Sequence, residues 1–196
     1  MSKRVKPPKI PIPVGARGLA LSQARAFAQN AQHLASSIST PTDAGVVLAY
    51  LVNAGLAIEL YFKTFMIAGR GGKVTEEHNL AVLLSEFPSF LRQSFNEIYA
   101  RHPTAKSAHI KLVAFKISPN APDKPAQEAF KARYDTFDNA ITAIANIFVD
   151  ARYFFEQLSL PNWAIFSYPM DAIAGVLQAL EITYQKFESG GFAGEA

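Results

Sequence analysis

The chain has no cysteine among its 196 residues. Disulfides, thiolate metal sites, iron–sulfur clusters and cysteine nucleophiles are excluded, and a reducing, cytoplasmic compartment is the natural expectation. The first nineteen residues hold no acid, although Lys3, Arg4, Lys6, Lys9 and Arg17 fall there. The formal net charge is only +3, so the rest of the chain is slightly acidic and is not a basic nucleic-acid binder as a whole. No apolar run near the N-terminus reaches signal-peptide length. The stretch long enough to consider as a membrane span, residues 44–68, contains Asn53, Glu59 and Lys63. Two charges near a helix centre cost about 2.5–3.5 kcal/mol each on insertion scales. The stretch therefore reads as a buried core helix, and no membrane is expected as a partner.

Metal and phosphate motifs are missing too. His33, His78, His102 and His109 show no ligand spacing with acids. Gly69-Arg70-Gly71-Gly72-Lys73 lacks the phosphate-loop spacing, and it closes a helix where a phosphate loop opens one. Ser36, Ser37 and Ser94 have no nucleophile-elbow context. No cofactor is implied.

What is present is helical periodicity. Residues 1–16 read as a flexible, basic, Pro-rich tail, with Pro7, Pro8, Pro11 and Pro13 favouring polyproline II. A domain over 17–189 follows, and residues 190–196 read as a second flexible tail. Helices are expected over about 18–38, 43–68, 76–87 (with Thr75 as a cap), 89–101, 126–158 and 169–188. The strongest signal is Phe130, Tyr134, Phe137, Ile141, Ile144, Phe148, Ala151 and Phe155, alternating four and three apart, which predicts one long helix. Residues 102–124 are irregular, with a short extended piece over His109–Ser118. The basic stretch Arg101, His102, Lys106, His109, Lys111 and Lys116 reads as a solvated connection or as an RNA phosphate contact. The expected fold is all-α, an antiparallel bundle of about five to six helices with no sheet.

Two ion pairs lie inside apolar segments. Glu59 and Lys63 are four apart, as are Arg152 and Glu156, so each pair shares a helix face. Buried charges are tolerated when paired. The economical arrangement sets the two helices face to face, Glu59 against Arg152 and Lys63 against Glu156, all four shielded from solvent. His78 starts the next helix within reach of the same network.

Ala57-Ile58-Glu59-Leu60-x-x-Lys63, a glycine turn, His78-Asn79-Leu80-x-x-Leu83-Leu84 and a late Ala151-Arg152-Tyr153-x-x-Glu156 together resemble the HEPN superfamily over roughly residues 44–160. The resemblance implies a helical bundle and a homodimer, for which the apolar helix at 169–188 offers surface. It also implies a place in toxin–antitoxin, phage-defence or stress-response systems, where many members are metal-independent ribonucleases. The family's ribonuclease signature sets a histidine four to six residues beyond an arginine, and no histidine follows Arg152. The expectation is thus a non-catalytic domain that binds RNA, a nucleotide or a partner protein, with His78, Arg152 and Tyr153 as candidate ligand contacts. The alternatives are a divergent endoribonuclease using Arg152 and His78, and a purely structural dimeric scaffold.

Overall fold

A computed structural model of the chain describes residues 10–11, 15–38, 44–69, 73–74, 76–103, 112–115, 134–153 and 166–190. The described residues are mostly helical. α1 (Ala16–Ser37) starts after Gly15, whose φ of 90° suits a residue without Cβ. Its buried face is narrow, Leu21, Ala24 and Ala31, and these small side chains let it lie closely along α2 (Ala44–Gly69). α2 buries residues around most of its girth, among them Leu51, Ala54, Ile58, Phe62 and Phe65. By length and composition it passes the test for a membrane span, and more than half of that window is buried inside this fold.

α3 (Leu80–Ser85) and α4 (Ser89–Tyr99) follow, with Pro88 between them. The sequence predicts a helix from 76, but α3 begins at Leu80. Asn79 caps it, its side-chain oxygen accepting from the Val82 amide at 3.0 Å. The Glu77 carboxylate takes the amides of His78 and Asn79 at 2.9 and 2.8 Å, which competes with helix formation there.

The single long helix expected over 126–158 is not what the described part of that stretch forms. Thr136 has extended backbone and caps α5 (Phe137–Ala143), its hydroxyl accepting from the Asn139 amide. A turn at 144–146 then separates α5 from α6 (Ile147–Arg152). Leu80 donates its amide to the Ala145 carbonyl at 2.9 Å, and Asn79 donates to the Asn146 side chain at 2.8 Å. These bonds from a distant segment hold the turn. Within it Ala145 and Ile147 bond back three residues, so Phe137, Ile141, Ile144, Ile147 and Ala151 all stay buried through the break.

The expectation of no sheet is corrected by two small antiparallel ladders. β1 (Ile10–Pro11) pairs with β2 (Lys73–Val74), so part of the expected tail is docked beside the end of α2. β3 (Leu112–Phe115), inside the segment read as extended, pairs with β4 (Phe166–Pro169). α7 (Met170–Glu188) closes the fold and buries Ile173, Val176, Ala179, Leu180 and Tyr184 internally. A homodimer would therefore need another surface than this face. Residues 1–9, 12–14 and 191–196, expected as flexible tails, lie outside the described residues.

Aromatic rings fill the centre. Phe95 stacks on Phe137 at 5.0 Å, and Phe65 meets Phe95 and Tyr184 edge to face at 5.4 and 5.1 Å. Away from them α2 meets α6 across Gly55. A Cβ there would lie 3.0 Å from side-chain carbons of Ile147 and Phe148 and 3.1 Å from the Phe148 backbone. Backbone cannot rotate away, so Gly55→Ala should destabilise by about 1–3 kcal/mol. Chemical denaturation measures it; an unchanged midpoint would contradict this packing.

Candidate functional site

Glu59 sits on α2 one turn beyond Gly55, so its carboxylate emerges on the flank that α6 approaches. The side chain is 7% exposed. Its Oε1 accepts from Lys63 Nζ at 2.6 Å and from His78 Nδ1 at 3.0 Å. An ionised carboxylate only accepts, so His78 Nδ1 carries the hydrogen and Nε2 is left for other partners. Glu59 Oε2 is buried without a hydrogen-bond partner among the described residues. A buried acceptor without a donor is uncommon.

His78 is 55% exposed, so the cluster opens to solvent through its ring. The imidazole lies 6.4 Å from the Phe148 ring, centre to centre. On α6 the Arg152 guanidinium lies over Phe148 at 5.8 Å and over Tyr153 at 5.1 Å. Arg152 and Tyr153 are both exposed. Glu59, His78, Phe148, Arg152 and Tyr153 thus form one continuous series running from the interior to the surface.

Two parts of the expected network separate here. Glu59 and Lys63 pair as expected, and His78 joins them. Arg152 does not oppose Glu59 among the described contacts, and it is not shielded. Ile147 and Ala151 are the inward pair on α6; Phe148 and Arg152 lie one residue, about 100°, further round. The helix also ends at Arg152, which frees its long side chain to fold over the rings. Glu156 lies outside the described residues, as do Lys106, His109, Lys111 and Lys116; of the basic stretch, Arg101 is exposed and His102 half-buried.

A second polar assembly carried no motif in the sequence. α1 and α7 both lie on α2 but barely touch each other. A cavity of about 710 Å³ lies between them, lined at one end by Arg25, Tyr61 and Glu181 and at the other by Tyr50, His102 and Asp171. Arg25 donates two hydrogen bonds to the Glu181 carboxylate, at 3.1 and 2.8 Å. Tyr61 donates to the same carboxylate at 2.6 Å and Gln185 at 2.7 Å. Burial alone would push the Glu181 carboxyl up, but these hydrogen bonds hold it below the usual carboxylate range. Burial pushes the phenols of Tyr50 and Tyr61 up, and pulls the His102 imidazole down toward its neutral form. Gly175 lets His102 and Tyr99 approach, since a Cβ would sit 3.0 Å from each ring. The one sequence signal is an acid flanked by apolar residues, Ala179-Leu180-Glu181-Ile182, built like Ala57-Ile58-Glu59-Leu60. Among the described residues no three His, Asp or Glu side chains are grouped to hold a metal ion.

Stability should separate these residues. Arg152→Ala removes an exposed side chain and should shift stability by no more than about 0.5 kcal/mol. Glu59→Gln leaves Lys63, 15% exposed, without its counter-ion and should cost about 1–3 kcal/mol. Denaturant melts of both variants check this, and equal effects would contradict it. Glu181 gives a pH test. Its folded pKa lies below the ordinary value of 4.5, so its contribution is full above that pH and is lost as pH falls through the lowered value. The stability gap between the native protein and Glu181→Gln should shrink on acidification below pH 4.5; a gap that widened would have the wrong sign.

No protein-family model, curated protein or solved structure matches this chain.

Proposed function

We propose that the chain is a HEPN-like helical domain that binds single-stranded RNA without cutting it. The observation that carries this reading is the exposed Arg152 guanidinium lying over Phe148 and Tyr153, beside the half-open His78. A cation for phosphate and an aromatic face for an unpaired base are the two elements of sequence-tolerant single-strand binding. Metal-free cleavage of RNA calls for proton transfer at both the attacking and the leaving oxygen. Among the described residues this face offers one imidazole and no second histidine, which supports binding rather than turnover.

One observation favours a second reading, a divergent endoribonuclease. The Glu59 carboxylate holds His78 Nδ1 as a carboxylate orients the imidazole of a general base, and Arg152 stands across Phe148 where it would meet a phosphate. Fluorescence anisotropy with a labelled single-stranded RNA, chelator present and product analysed on gels, distinguishes the two. Binding without product is expected, weakened about tenfold by Arg152→Ala and by Tyr153→Ala, as loss of one cation or one stacking face implies. Product that disappears with His78→Ala would establish the enzyme reading instead, and no binding at all would remove both.

A further inference from the structure

The cavity between α1, α2 and α7 shares no lining residue with the His78 face. We propose that it is a binding site for an uncharged linear aliphatic alcohol, with the hydroxyl at Tyr50 and the chain running along the apolar middle toward Arg25 and Glu181. The volume of about 710 Å³ falls within the range of small-molecule sites. The middle is lined by Ala28, Ala31 and Ala35 of α1 and Ala174 and Leu177 of α7. These side chains leave a methylene chain a narrow apolar track. Its length follows from the fold. Tyr50 bonds to Met170 and Tyr61 to Glu181, and these two partners stand eleven residues apart on α7, about 16 Å along the axis. That spacing sets an elongated ligand over a compact one.

The charged groups around the cavity already have partners in the chain. Arg25, Tyr61 and Gln185 all donate to the Glu181 carboxylate, which fills its acceptor sites and offsets the Arg25 charge. Asp171 and His102, at the other end, are engaged as well. The exposed lining side chains Gln29, Gln32 and Gln178 carry amides and no charge. An ammonium or a carboxylate would therefore enter without a counter-ion of its own, at the cost of its hydration. A hydroxyl avoids that cost, and Tyr50 supplies its partner. The Tyr50 side chain lines the cavity and is 3% exposed. Its hydroxyl donates to the Met170 carbonyl at 3.2 Å, and among the described residues no donor reaches its oxygen. Burial pushes the phenol up, so it stays neutral. A neutral oxygen whose hydrogen is spent can only accept, and an alcohol is the simplest uncharged chain that donates to it.

Isothermal titration of the full chain with hexanol and octanol, set against octyl methyl ether, octylamine and octanoate, tests the proposal. Octanol should saturate at one molecule per chain and bind more tightly than hexanol. It should exceed octylamine and octanoate by at least about tenfold, since each buries a charge that the cavity does not offset. It should exceed octyl methyl ether, which keeps the oxygen but lacks the hydrogen, by about fivefold, the margin of one hydrogen bond. Tyr50→Phe should erase that last margin, and Leu177→Trp, which fills the track, should abolish octanol binding. Octylamine or octanoate binding as tightly as octanol, no saturable binding of octanol, or a margin over the ether that survives Tyr50→Phe would each overturn it. The comparison among ligands needs no variant, so it stands even if a substitution perturbs folding.

Discussion

Twenty-six residues of α2 carry only two charged side chains, Glu59 and Lys63, and a helix so apolar on all sides is stable only when other helices enclose it. α1 covers one flank with alanines, α7 another with Ile173, Val176 and Leu180, and α6 closes on Gly55. The short α3, α4 and α5 complete the aromatic centre around Phe62, Phe65 and Phe95. Removing that much apolar surface from water is the main favourable contribution to folding, and it fixes where polar groups can stand.

Both polar assemblies follow from enclosing α2. A carboxylate carried into the interior needs donors, and the two carboxylates find them differently. Glu181 of α7 reaches Tyr61 of α2 and Arg25 of α1, and its hydrogen-bond partners satisfy both oxygens. Glu59 receives Lys63 and His78 on one oxygen only. The saturated site behaves as a strut between three helices. The unsaturated one opens toward solvent through His78 and continues over Phe148 to Arg152, and this difference is why the second face is the one we associate with RNA.

The long helices were legible in the sequence because their apolar spacing is local. α1, α2 and α7 fall within two residues of the periodic signal. The break at 144–146 was not legible, because a turn bonded three residues back keeps the apolar stripe in phase. What imposes it is the amide of Leu80 and the side chain of Asn79, remote in sequence. The Glu59–Lys63 pair was legible from its i,i+4 spacing, but the assignment of Arg152 opposite it was not sound. Spacing places Arg152 four residues after Phe148, and Phe148 itself lies at the edge of the buried stripe rather than its centre. The ladders rest on two-to-four-residue pairings too short to leave a periodic trace, and the cavity depends on three helices whose separation no single segment encodes.

The central claim is that the series from Glu59 through His78 and Phe148 to Arg152 and Tyr153 receives a strand of RNA. Nuclear magnetic resonance titration of isotope-labelled protein with a short single-stranded RNA tests it directly, reading the His78 ring, the Arg152 Nε–H and the Tyr153 ring together with the Arg25 Nε–H. The account predicts progressive shifts at His78, Arg152 and Tyr153 while Arg25, held by Glu181, stays in place. Shifts at Arg25 with none at His78 and Arg152, or no shifts at saturating RNA, would contradict it.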